Sequence, residues 1–273
     1  MNYILLNRFG VPTMRQVQAQ MKEPCRLMFD SNTPLFYNTD IVIRWANSEM
    51  YNTRGAKIIN KRDGIKLACN KAKSRIKMQD EGISVPKSWN NFSEASLPCI
   101  MRPTYHRKGE NFHIIQILDY IDEIEDNNGN YYSEIIDKKA EYRVHVAHGK
   151  VLYINQKPLI EGEIRANQHV THQSWGKVLS WEDYRRKMCK LACDAVKCCG
   201  LDMGGVDIMK SKDKKYYVCE VNTAPTFTNE PYAVERYAKY FDWLFRHRDA
   251  VWWDYSKYEA GASFAWKNLQ LEA

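Results

Sequence analysis

Val206-Asp207-Ile208-Met209 and Tyr216-Tyr217-Val218-Cys219-Glu220-Val221 are both β-prone runs, mostly apolar and interrupted by the polar Asp207 and Glu220. Such runs read as strands. The intervening Lys210-Ser211-Lys212-Asp213-Lys214-Lys215 is polar and turn-like, so the unit predicts a β-hairpin. A turn symmetric about Asp213 and Lys214 places Asp207 directly across the ladder from Glu220, with Cβ atoms about 5 Å apart. Asn222, two residues beyond Glu220, shares its face.

The remaining pattern predicts a mixed chain. Asp40–Trp45 reads as a buried strand after the polar turn Ser31–Pro34, within a small α/β unit formed by the first fifty or so residues. The spacing of Ile65, Leu67, Ala68, Ala72, Ile76 and Met78 predicts one helix from about Asp63 to Glu81, leaving at Gly82 with Pro86 just beyond. Pro98–Arg102 and Phe112–Ile115 read as strands on either side of a basic loop, and Asp126–Asn130 as a turn. Three strands are expected between Tyr131 and Lys157, the last two joined by a hairpin turn at His148-Gly149. Ser180 and Asp183 have capping-box spacing and are expected to open a helix that buries Tyr184, Met188, Leu191, Ala192, Ala195 and Val196 and ends at Gly200. Aromatic-rich helices close the chain, with Tyr232, Val234, Tyr237 and Phe241 on one face. Strands and helices alternate without a regular βαβ period, which predicts an α+β fold rather than a doubly wound sheet.

Composition narrows the functional classes. The 273 residues are 44% hydrophobic and 27% charged, proportions of a protein with real cores. No run approaches the length of a membrane span, and the segment from Met1 lacks a basic leader, so a cytoplasmic protein without a membrane partner is expected. The net charge of +7 permits an acidic partner. Its basic clusters are spread along the chain, which favours solvated faces or small phosphate ligands over one nucleic-acid groove. Cys189, Cys193, Cys198 and Cys199 lack a C-x-x-C pair or a nearby histidine, so they read as small buried hydrophobes rather than a zinc site.

The carboxylates of the hairpin carry the sharpest chemical hint. Two acids held that close repel and are costly to bury uncompensated. A hard cation resolves this, and Mg2+ favours oxygen ligands from one or two carboxylates together with substrate phosphates. The plain alternative is a surface hairpin whose polar face happens to carry Asp and Glu.

The order of motifs resembles the ATP-grasp superfamily, and within it the RimK-like branch of carboxylate–amine ligases. Asn70-Lys71 followed by Gly82-Ile83-Ser84-Val85-Pro86 is similar to the family's lysine, helix and "GIPxP" exit. Pro98–Pro103 resembles the strand bearing the second nucleotide lysine. Arg107-Lys108-Gly109-Glu110-Asn111 stands where the flexible phosphate-covering loop belongs. Ser133-Glu134-Ile135-Ile136 looks like the adenine hinge, and Glu141 matches the ribose-binding carboxylate. Glu141–Val146 with Gly149-Lys150-Val151 resembles the "R-hhh-GKV" hairpin, and Gly162–Asn167 the "GEFRxN" segment. Asp207, Glu220 and Asn222 fall on the magnesium triad.

The resemblance implies an ATP-grasp fold in three parts: a reduced N-terminal domain over 1–58, a small subdomain over 59–130 and a large one over 131–273. It implies ATP and Mg2+ as cofactors. Lys71, Arg102, Lys108, Gly109, Glu134, Ile136 and Glu141 would hold the nucleotide, Asp207, Glu220 and Asn222 the metal. Arg143, Arg165 and Lys157 would face the transferring phosphoryl group. The reaction implied joins a small-molecule or peptide carboxylate to an amine and releases ADP and phosphate. The compact N-terminal part is similar to that of phage-carried members, which would place the protein in a host cytoplasm, and many relatives are homo-oligomers.

Three positions depart from the family pattern: Arg102 stands where lysine is usual, the covering loop has one glycine, and Thr226 replaces a common glycine. Two other classes stay open, a non-catalytic nucleotide-binding scaffold and a nucleic-acid-binding protein that stacks bases on the C-terminal aromatics.

Overall fold

The computed structural model describes residues 2–6, 11–28, 36–37, 40–52, 55–105, 113–116, 129–157, 178–180, 183, 185–227 and 230–247. Three four-stranded sheets organise them. The first is parallel, in the order β2-β1-β3-β4, from β1 (Asn2–Leu6), β2 (Arg26–Met28), β3 (Ile41–Trp45) and β4 (Lys57–Ile59). Every residue of β1 and β3 is buried, as suits parallel strands covered on both faces. Helix α1 (Val11–Gln20) covers one side.

The expected helix over 63–81 is two helices, α2 (Arg62–Cys69) and α3 (Lys71–Asp80). The break falls at Asn70, whose extended backbone leaves the helix and whose side chain caps the next one by accepting from the Lys73 N–H. Asparagine competes with helix continuation through just this bond. Gly82 closes α3 with a φ of +73°, and the Ile83 N–H returns to the Met78 carbonyl.

Two antiparallel sheets follow. The smaller runs β5-β8-β6-β7, from β5 (Ser88–Trp89), β6 (Cys99–Pro103), β7 (His113–Ile115) and β8 (Asn130–Glu134). The larger runs β10-β9-β11-β12, from β9 (Lys138–Ala147), β10 (Lys150–Lys157), β11 (Met203–Ser211) and β12 (Tyr216–Asn222). The three strands expected between Tyr131 and Lys157 are present but divided, β8 in one sheet and β9 and β10 in the other. Residues 135–137 join the two sheets. At the β9–β10 turn His148 and Gly149 both have positive φ, the backbone of a tight hairpin.

Helix α4 (Arg186–Cys198) packs on one face of the larger sheet, placing Met188, Ala192, Ala195 and Val196 on Val144, Val146, Val206, Ile208, Val218 and Val221. The helix starts later than the Ser180–Asp183 spacing predicts. Those two side chains bond to each other at 3.1 Å in a separate turn, and Arg185 at the N-cap makes no side-chain capping bond. Cys189, Cys198 and Cys199 are buried, and burial pushes their thiols up to about 12.

Helix α5 (Pro231–Arg246) covers one end of the opposite face and shares a core with the N-terminal sheet through Ile4, Ile43, Trp45, Tyr153, Phe227, Tyr237 and Phe241. Asp242 accepts the backbone N–H groups of Lys22 and Glu23 just beyond α1. The helix is therefore buried on more than the one predicted face. No described helix is long and apolar enough to cross a membrane.

Two histidines lie wholly inside this contact. His145 Nδ1 meets the Tyr237 hydroxyl at 2.9 Å, and His148 meets that of Tyr240. Burial, and for His145 the nearby Arg143, holds His145 well below its ordinary value; burial alone lowers His148 to about 3. The unfolded chain takes these protons near pH 6.5, so their contribution is complete above that value and lost as pH falls toward the folded value. We expect the unfolding free energy from urea titration to fall steadily from about pH 6.5 to pH 5, by up to ~1.4 kcal/mol per histidine per pH unit. Packing gives a second prediction. A Cβ on Gly64 of α2 would stand 2.6 Å from the Gly200 carbonyl oxygen and 2.9 Å from that of Cys199, both backbone atoms. Gly64→Ala should cost about 1–3 kcal/mol in the same measurement.

Candidate active site

Alternation along the larger sheet sends Val144, Val146, Val206 and Ile208 to α4 and their neighbours to the other face. On that face Asn155, Arg143, Asp207 and Glu220 form one row across β10, β9, β11 and β12. Lys157 and Glu141 pair in the next row, and Asn222 lies opposite Gly205 in the row on the other side. Helix α5 covers the row of His145 and Tyr153, and Glu230 at its N-cap bonds to Asn155 at the end of the Arg143 row.

Asp207 does face Glu220, though not for the reason of turn symmetry. Ile208 pairs with Val218, Met209 with Tyr217 and Lys210 with Tyr216, so the turn is centred on Asp213 alone. A regular ladder would then set Asp207 against Cys219. A one-residue bulge between Asp207 and Ile208 leaves Cys219 over and restores the Asp207–Glu220 pair. The bulge also explains why Val218 and Val221, three residues apart, both reach the α4 core.

The charges interleave. Arg143 grips Asp207 with two bonds, Nε to Oδ1 at 2.6 Å and a terminal nitrogen to Oδ2 at 2.8 Å. Lys157 reaches the same Oδ2 at 2.9 Å and also binds Glu141, whose other oxygen takes Lys138 at 2.6 Å. Lys71, the first residue of α3, binds Glu220, and Asn222 donates to the remaining Glu220 oxygen at 3.1 Å. Burial alone would raise the Asp207 carboxyl, but Arg143 and Lys157 outweigh it and hold it well below the usual carboxylate range. Glu220 is lowered against its burial by Lys71, and Glu141 by Lys157 and Lys138. Burial would lower Arg143 and Lys157; Asp207 beside both, with Glu141 beside Lys157, holds them above their ordinary values. All are ionised at neutral pH.

The donor set suits a hard cation that shares its ligands with phosphate. Asp207, Glu220 and Asn222 offer carboxylate and amide oxygens from adjoining strands. Among the described residues no three His, Cys, Asp or Glu side chains gather to hold an ion by themselves. Mg2+ takes one or two carboxylates and completes its shell from water and substrate, and the oxygens of Asp207, Glu220 and Asn222 fit that pattern.

Of the other expected site residues, Glu134 ends β8 and accepts the Lys87 N–H at 3.1 Å. Ile136 lies in the connection between the sheets. Arg102 lies on β6 opposite Tyr131. Just past β6, the Tyr105 hydroxyl meets the Asn70 amide nitrogen at 3.0 Å, which ties that strand to the start of α3. Lys108, Gly109 and Arg165 fall outside the described residues, as do Asn167 and the aromatic tail from Trp252. Sequence reasoning missed Lys138, whose ammonium is buried against Glu141; an isolated lysine in a β-run carries no signal of its own. It also gave Gly205, next to the hairpin strand, no role of its own. A Cβ there would come within 2.7 Å of the Pro225 ring, so the glycine lets the chain after Asn222 fold back across the sheet.

Asp207→Asn would leave Arg143 and Lys157 facing each other without their shared carboxylate. We expect it to lower stability by roughly 3 kcal/mol in urea unfolding. Lys77→Ala, at the exposed pair with Glu81, should change it by less than about 1 kcal/mol.

The family model described as a RimK-like ATP-grasp domain matches residues 72–237. The ATP-grasp ligase PsnB, in its complex with minimal precursor, Mg and ADP, superposes with a TM-score of 0.65 at 12% identity, over 89% of this chain and 97% of that one. D-alanine–D-alanine ligase from Bacillus anthracis complexed with ATP gives 0.63 at 15%, over 95% and 99%. N5-carboxyaminoimidazole synthase from Aspergillus clavatus, with ADP and 5-aminoimidazole ribonucleotide, gives 0.57 at 13%, over 81% and 69%. No curated protein sequence matches the chain significantly. Matched from the first turn of α3 to the middle of α5, the chain belongs to the RimK-like ATP-grasp family.

Proposed function

We propose that the protein is an ATP-dependent ligase that activates a carboxylate as its acyl phosphate and joins it to an amine, releasing ADP and phosphate. One observation carries the reading: Asp207, Glu220 and Asn222 share a sheet face with Arg143 and Lys157, and Lys71 reaches Glu220 from α3, so oxygens suited to a metal and cations suited to phosphate are interleaved. Bringing a carboxylate to the γ-phosphate of ATP sets negative groups against each other, so such a reaction depends on positioning and countercharge. Mg2+, held by Asp207, Glu220 and Asn222, would supply charge neutralisation across the phosphates.

The chain's own side chains have the remaining tasks. Arg143, aligned by two bonds to Asp207, presents its guanidinium to the transferring phosphoryl group and the oxyanion that develops at the activated carbonyl. Lys157 adds a second cation beside it. Lys71 turns from Glu220 to a phosphate oxygen as the nucleotide enters. Glu134 and Ile136 line the connection between the sheets where adenine would sit, with Glu141 directed to the ribose hydroxyls. Lys108, Gly109 and Arg165 keep the roles their motifs imply, over the phosphates and at the reacting carbonyl. The domain boundaries were expected at 58 and 130; the described strands change sheet after β4 (Lys57–Ile59) and between β8 (Asn130–Glu134) and β9, at residues 135–137. The structural relatives include an ATP-grasp ligase complexed with a precursor peptide and a D-alanine–D-alanine ligase, which makes peptide and amino-acid substrates the first to try.

ADP release in the presence of ATP, Mg2+ and a panel of amino acids and peptides, with mass spectrometry for a product one condensation heavier, tests the proposal. We expect turnover in the native protein and at least a ~100-fold loss in Glu220→Ala. Nucleotide binding without turnover across the panel would favour a scaffold, and turnover that survives Glu220→Ala would remove the metal from the account.

A further inference from the structure

A bulge that decides which way Glu220 faces needs something to hold it. The edge of β12 away from β11 is lined by the segment leaving α3: Val218 N–H donates to the Ser84 carbonyl at 2.8 Å, and Ser84 Oγ to the Tyr216 carbonyl at 2.7 Å. At the bulge this lining changes. The Cys219 carbonyl accepts instead from Arg75 Nε at 2.9 Å. Arg75 is 5% exposed, and its guanidinium lies over the Tyr131 ring of β8, 5.5 Å from the centroid. Lys71 and Arg75 are one helical turn apart on α3 and share a face. Successive turns of one helix thus grip successive residues of β12, Lys71 the Glu220 side chain and Arg75 the Cys219 backbone.

We propose that Arg75 is a positioning residue of this site: by donating to the carbonyl of the bulged Cys219, it holds the one-residue shift that turns Glu220 and Asn222 onto the face of Asp207. Without the shift the ladder would pair Asp207 with Cys219, and a slip of one residue sends every later side chain to the opposite face. Glu220 and Asn222 would then point into the α4 core, and Val221 would replace them on the charged face. Burying a carboxylate there is prohibitive, so the alternative to a held bulge is a β12 end that frays, with its ligands no longer fixed. Arg75 needs no contact with metal or nucleotide to have this effect. Its seat on Tyr131, across the sheet from Arg102, also ties the bulge to the smaller sheet.

The inference rests on the metal role proposed for Glu220, and the test separates the two. Mn2+ binding in the presence of ADP, followed by the loss of free-ion signal in electron paramagnetic resonance, is measured for the full chain and for Glu220→Ala, Arg75→Met and Arg75→Gln. Methionine and glutamine place their fourth side-chain atom where Arg75 has Nε, but only glutamine has a donor there. We expect Arg75→Met to bind Mn2+ at least ~10-fold more weakly, and Arg75→Gln to stay within about threefold of the native chain. ADP affinity measured in chelator should be unchanged in both. If Glu220→Ala binds Mn2+ as the native chain does, the metal reading itself fails. If Glu220→Ala loses the ion while Arg75→Met retains native affinity, the metal reading stands and the positioning role is overturned. Should Arg75→Met fail to fold, Arg75→Gln decides: weak Mn2+ binding by that folded variant would overturn a role carried by the hydrogen bond.

Discussion

Two carboxylates, Asp207 and Glu220, stand opposite each other on neighbouring strands, and much of the larger sheet is arranged around that fact. The pair is tolerable because cations enter from three directions: Arg143 from β9, Lys157 from β10 and Lys71 from α3. Each cation in turn limits what its own element can do. Lys71 can reach Glu220 only because Asn70 ends α2 and restarts the helix there. Gly205 makes room for the turn back after Asn222: a Cβ there would stand 2.7 Å from the Pro225 ring, while Arg143 Cδ, at 3.6 Å, would be in ordinary contact. The same charges that stabilise the face without ligand are those a metal–nucleotide complex would redistribute, so the site is preorganised by interactions it must partly exchange.

The two faces of the larger sheet divide the labour. One is apolar, packed on α4, and gives the strands their fixed order. The other carries the charged rows and is sealed at one end by α5, with His145 stacked on Tyr153 at 4.0 Å and Phe227 on Tyr237 at 4.5 Å. This sealed end also anchors the segment after Asn222, because Phe227 belongs to the core shared with the N-terminal sheet. The N-terminal unit therefore supports the far end of the site rather than standing apart from it.

Much of this could be read from residues in order, and the failures have physical causes. Strands with clear alternation were legible, as were turns at His148-Gly149 and Gly82, since local chemistry decides both. The Asp207–Glu220 pairing was reached through a turn symmetry that does not exist. The better signal was the break in alternation, with Val218 and Val221 three residues apart, which is how a bulge looks in sequence. The Asn70 break was hidden because apolar spacing continues through it, while capping is a single side-chain bond. Ser180 and Asp183 have the right spacing but cap each other rather than α4. Placing β8 in a different sheet from β9 depends on its pairing with β6, Met101 opposite Tyr132, a contact distant in sequence that no local pattern encodes. Lys138 and Arg75 went unremarked for a similar reason: a basic residue on a strand or helix is solvated by default, and only tertiary structure shows these two buried.

The central claim is that this charged face takes a nucleotide together with a divalent cation. Calorimetric titration of the native chain with ADP, once with Mg2+ and once with chelator, tests it most directly. The geometry predicts saturable binding with Mg2+ and affinity at least about tenfold lower without it, because Asp207 and Glu220 repel phosphates unless a cation lies between them. Equal affinity under both conditions, or no binding in either, would contradict it.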